Sequence, residues 1–184
     1  MNNVISLESL RNQKAAKRGF KEWRRKFKGF HSLDEQTRWA DFPDEVILFL
    51  ADDDEGGRQL IHDLLMGALE LGHGYQFESL PSEKLLPLLD VYFLLIDQVR
   101  FECIRRLGWV EKIPLGDRPI IALIREYDQG IYPALIVSPK LTAGHPAYSE
   151  YSRLPEMEQR VFIRKTIPEA IRLFREKIIN PGRV

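Results

Sequence analysis

The chain has 184 residues, 44% of them hydrophobic and 29% charged, with 27 basic and 27 acidic side chains. These are globular proportions over a length that supports one core, and the balanced charge excludes a global attraction to nucleic acid or anionic lipid. A single cysteine, Cys103, excludes an intramolecular disulfide and suits a reducing cytoplasm, and the sequence carries no apolar run that reads as a signal peptide or membrane span.

The charge balance is regional. Residues 1–30 carry nine basic side chains against two acidic ones, while residues 41–111 carry fifteen acidic against five basic. Within the first region Ala16, Phe20, Trp23, Phe27 and Phe30 recur at spacings of four and three, the stripe of an amphipathic helix whose other face is almost solidly Lys and Arg. This predicts a basic helical arm over 1–30 followed by one globular domain over 31–184. Phe20, Trp23, Phe27 and Phe30 with Lys21, Arg24 and Arg25 are the candidate interaction residues. A stripe this large and aromatic favours docking on an acidic surface, either the chain's own or that of a second copy. Basic residues interleaved with aromatics also suit nucleic acid, and a membrane surface is the third reading.

Beyond Gly29, Ser32 and Glu35 have capping-box spacing for a short helix through Trp39, and a second helix follows Asp41-Phe-Pro-Asp44. Asp52, Asp54, Gly57 and Asp63 take positions one, three, six and twelve of a calcium loop over 52–63. Gly56 at position five has no ligand and Gln59 replaces the apolar residue, so these acids read as helix N-terminal caps instead. The next helix, over about 58–71, closes at Gly72-His73-Gly74. Glu70 and His73 have the Glu-x-x-His spacing of a metal-binding helix, but a di-iron site needs a second such pair, which the chain lacks.

The stretch 85–107 is too long for a strand and apolar on most faces through its first half, which predicts a central helix buried on several sides. Asp90 and Asp97 lie roughly on one face of it, with Arg100 in reach of Asp97. Cys103 reads as a packed thiol.

The runs 119–126 and 131–138 are rich in Ile and Val and are joined by Tyr-Asp-Gln-Gly, which predicts a β-hairpin, with Pro133 on an edge strand. The loop 139–153 gathers His145, Tyr148 and Tyr151, the residue types that best suit an enzymatic or small-molecule site. Helical character returns over 154–165, and Thr166-Ile-Pro-Glu169 reads as the capping box of a C-terminal helix.

The expected fold is therefore mainly α, of the α+β class: a helical domain around a central buried helix, with one β-hairpin and a C-terminal helix. No catalytic, cofactor or metal motif emerges. The expected function is that of a cytoplasmic, non-enzymatic interaction protein that binds a protein partner or forms a homo-oligomer. Nucleic-acid binding by the basic helix is the alternative, and an enzyme or small-molecule binder at 139–153 the second alternative.

Overall fold

The computed structural model describes residues 6–27, 33–52, 54–130 and 138–180. The described chain is mostly helical: α1 (Leu7–Gly19), α2 (Lys21–Lys26), α3 (Asp44–Ala51), α4 (Glu55–Ala68), α5 (Ser82–Arg106), α6 (Ile120–Asp128), α7 (Tyr148–Tyr151) and α8 (Glu156–Ile179), with 3-10 turns at Trp39–Asp41 and Gly74–Ser79. They fall into two compact units. The first comprises the described residues within 1–38, 54–93 and 118–132, and the second those within 39–53, 94–117 and 133–184. The boundary crosses α5 after Phe93.

In the first unit α4 is the packing centre. Asp54 accepts a hydrogen bond from the Gly57 amide at 2.7 Å, the N-cap that starts the helix, and Leu60, Ile61, Leu64, Leu65 and Met66 are buried along it. Helices α1, α2 and α6 and the Gly74–Ser79 turn pack against it. Buried His62 stacks on Phe77 with ring centroids 4.1 Å apart.

In the second unit the later half of α5, α8 and the segment around 109–113 enclose a cluster that includes Phe101, Ile104, Trp109, Ile113, Tyr151, Ile163 and Ala170. Helix α3 packs on α8. Along α5 the apolar character has two fates. Leu94, Leu95, Ile96, Val99, Phe101, Cys103 and Ile104 are buried, whereas Leu86 and Phe93 in the earlier half are 63% and 59% exposed.

Among the described residues the expected β-hairpin is not formed. Its first arm is α6, in which Ile120, Ile121, Leu123 and Ile124 are buried at helical spacing. Its second arm, including Pro133, lies outside the described residues up to 137. Among the described residues the only β pairing is one isolated antiparallel bridge between Val110 and Leu141. The physical reason is that a short β-branched run satisfies both periods, and packing on α4 outweighs the small intrinsic preference of Ile for strands. Pro119 immediately before the helix and Gly130 just after it, at φ +70°, are its start and stop signals.

Two helix boundaries also differ from expectation. The N-terminal stripe is broken at Phe20 into α1 and α2. At the other end, α8 runs continuously through Pro168, and the Thr166 hydroxyl donates to the Ile163 carbonyl at 2.7 Å instead of capping a new helix.

Candidate functional site: the basic face of the N-terminal helices

Ser6 caps α1 by accepting from the Ser9 amide at 3.1 Å. The face of α1 that meets α4 is built from small residues, Ala15, Ala16 and Gly19, all buried. This smallness lets the helices approach closely: a Cβ on Gly67 of α4 would lie 3.0 Å from the Arg18 carbonyl carbon and nearer still to Gly19.

Phe20 and Trp23 follow at the α1–α2 junction, and both are fully buried. Their rings meet edge to face at 5.5 Å, and the Trp23 indole N–H donates to the Leu60 carbonyl at 2.8 Å. Phe27 is half-buried, and Phe30 lies outside the described residues. Phe20 and Trp23 thus spend their apolar area inside their own unit.

The basic side chains take the other face. Arg11, Lys14, Lys17, Arg18, Lys21, Arg24, Arg25 and Lys26 are all exposed along α1 and α2, accompanied by exposed Glu8 and half-buried Glu22. Arg24 donates to the Leu33 carbonyl at 2.7 Å, and Arg25 lies 3.3 Å from Glu22. At such exposure an ion pair of this kind leaves the cation largely available to a partner. Beside Arg18 and Lys21, Asp63 accepts from the Gly74 amide at 2.8 Å, and burial, with Glu22 nearby, pushes its carboxyl above the usual carboxylate range.

The acids of the middle region find partners that sequence spacing does not reveal. In the second unit Asp44 pairs with Arg106 at 2.5 Å, Asp97 with Arg164 at 2.6 Å, and Asp52 with Arg175. Glu102, 1% exposed, is clasped by Arg105 and Arg106 of its own helix at 2.6 and 2.8 Å. Arg106 reaches on to the Phe42 carbonyl at 2.7 Å, and Lys177 donates to the Arg106 backbone carbonyl at 2.8 Å. This network around buried Glu102 is the main feature that sequence reasoning missed. Its only local signal was Glu102 three and four residues before two arginines.

The remaining sequence candidates have these settings. Asp54 caps α4, and Asp52 is held by Arg175. Glu70 is exposed at φ +60°, and His73 stacks on Tyr75 at 5.5 Å. Among the described residues no group of three or more His, Cys, Asp or Glu could hold a metal ion. Asp90 is exposed. His145 is buried edge-on against Trp109 at 4.4 Å, its Nδ1 accepting from the Ala147 amide at 3.0 Å. Burial holds its pKa below the ordinary histidine value, so this nitrogen stays an acceptor. Tyr151 belongs to the core cluster, and exposed Tyr148 stands at the start of α7. Burial pushes the Cys103 thiol up to about 12, which keeps it a packed thiol and not a nucleophile.

No described helix is long and apolar enough to cross a membrane. No protein-family model matches the chain, and no curated protein or solved structure matches it.

Proposed function

We propose that the chain is a non-enzymatic cytoplasmic binding protein that presents the outward face of α1 and α2 to the phosphate backbone of a nucleic acid. The observation that carries this reading is the division of the segment into two faces. Phe20 and Trp23 are buried in the first unit, and eight cations are left outward over twenty residues. That division withdraws Phe20 and Trp23 from both apolar-dependent partners, since a lipid surface takes up an apolar helix face and base stacking takes up open aromatic rings. Phosphate contacts need only cations on a rigid support, and helix packing on α4 supplies the support.

The acids of the second unit add to the argument. Asp44, Asp52, Asp97 and Glu102 are matched by arginines of that unit, so they offer the basic face little uncompensated charge. A protein partner with an acidic face, including a second copy, is the second reading. It is favoured by half-buried Phe27 at the end of the ridge, an apolar contact that a phosphate backbone does not use.

The test is fluorescence anisotropy of labelled duplex DNA and duplex RNA with the full chain across a salt series. The log–log slope is expected to be steep and to shrink by about one for each phosphate-contacting cation removed. Absence of binding to either duplex at low salt overturns the nucleic-acid reading, and a change of mass in solution with protein concentration then favours the second copy.

A further inference from the structure

We propose that a pocket in the first unit, between α1, α6 and the start of α5, binds a small organic anion through Arg11, Lys84 and Arg125. The pocket measures about 310 Å³, at the lower end of the range of small-molecule sites. Leu69, Leu71, Pro87 and Leu88 give it an apolar wall, and three cations against one carboxylate, Asp128, give it a positive rim.

Arg106, Arg164 and Arg175 of the second unit each have a carboxylate against them, and the cations of this pocket do not. Among the described residues neither Arg11 nor Lys84 has an ion-pair partner, and Arg125 is held by neutral acceptors alone. Its Nε donates to the Ala68 carbonyl at 3.0 Å, and its terminal nitrogens donate to Asn12 Oδ1 and, at 3.5 Å, to the Arg11 carbonyl. These bonds fix a half-buried guanidinium in place without neutralising it. Burial first, and the charge of Arg11 second, lower the pKa of Arg125, while Glu70 and Glu8 offset this only in part. An anion between the three cations would relieve that repulsion, and a guanidinium fork held from behind is pre-organised for a carboxylate or phosphate.

The shape of the ligand follows from the two sides of the pocket. Its anionic head sits at Arg11, Lys84 and Arg125, and its apolar body lies on Leu69, Leu71, Pro87 and Leu88. The pocket shares Arg11 with the basic face, but Lys84 and Arg125 lie outside α1 and α2, and the hexyl-anion titration is read separately from duplex binding.

The experiment is isothermal titration calorimetry of the full chain with hexyl phosphate and with hexanoate at constant ionic strength, with inorganic phosphate and 1-hexanol as the two half-ligands. Saturable binding of at least one hexyl anion is expected, with inorganic phosphate weaker and hexanol inert. Lys84→Gln is expected to weaken the anion about tenfold, and Arg11→Gln with Lys84→Gln further. Lys84 is exposed and its side chain makes no described hydrogen bond or ion pair, so this variant retains the fold, which circular dichroism checks. The proposal is overturned by absence of saturable binding to both hexyl anions, by equal affinity for inorganic phosphate, or by unchanged affinity in the double variant. Each of these results leaves the duplex measurement standing on its own.

Discussion

His145 illustrates how much a residue's meaning depends on its setting. In the sequence it is a loop histidine between Gly144 and Pro146. In the fold its ring fills space against Trp109, and Nδ1 accepts the Ala147 amide. Protonation would remove that acceptor and place a charge where burial disfavours it, which is why its folded pKa lies below the ordinary 6.5. With the folded value depressed, the unfolded chain binds more protons through the window below about 6.5, so this group's contribution is present above that pH and is lost as pH falls through the folded value. Urea unfolding of the second unit is therefore expected to give lower stability at about pH 5.5 than at about pH 7.5, with the difference reduced in His145→Asn, whose side-chain oxygen keeps an acceptor for Ala147. An identical pH dependence in the variant would remove His145 as the cause.

At the scale of elements, the α1–α4 contact rests on what is missing from side chains. Gly67 faces Gly19 so closely that any Cβ would collide with backbone, which cannot swing aside as a flexible side-chain end can. Gly67→Ala is accordingly expected to destabilise the first unit by about 1–3 kcal/mol, despite the better helix propensity of alanine, as measured by denaturant midpoint. A stabilised variant would mean that the helices do not approach this closely. The amphipathic face of Phe20 and Trp23 was legible in the sequence because 3.6-residue periodicity is a local property. Its destination on α4 was not, since a stripe records that it must be covered and not by what. The same limit explains α6, whose Ile-rich run suits strand and helix alike until α4 decides between them, and α8, where packing carries the helix past Pro168. Arg106 and Glu102 follow the same logic. Their spacing along α5 was readable, but Asp44 and Phe42, more than sixty residues distant in sequence, were not.

For the whole molecule, a formal net charge of zero means that any polyanion binding must come from arrangement and not from total charge. Two sets of three neutralising substitutions separate these causes. Lys14, Lys17 and Lys21 lie on the outward face of α1 and α2, and Lys112, Lys140 and Lys165 are equally exposed in the second unit. Changing either set to Gln lowers the molecule's charge by the same amount and disturbs no described hydrogen bond or ion pair. If the N-terminal face is the binding surface, the first set reduces duplex affinity and flattens its salt dependence by about three units of log–log slope, and the second set changes both only slightly. The contrast follows from range, because at physiological ionic strength charges beyond about 8 Å are largely screened, so a cation counts only where it lies near a phosphate. Equal loss in the two triple variants, read by anisotropy at several salt concentrations, would assign the binding to net charge and leave α1 and α2 as a solvated face over the buried Phe20 and Trp23.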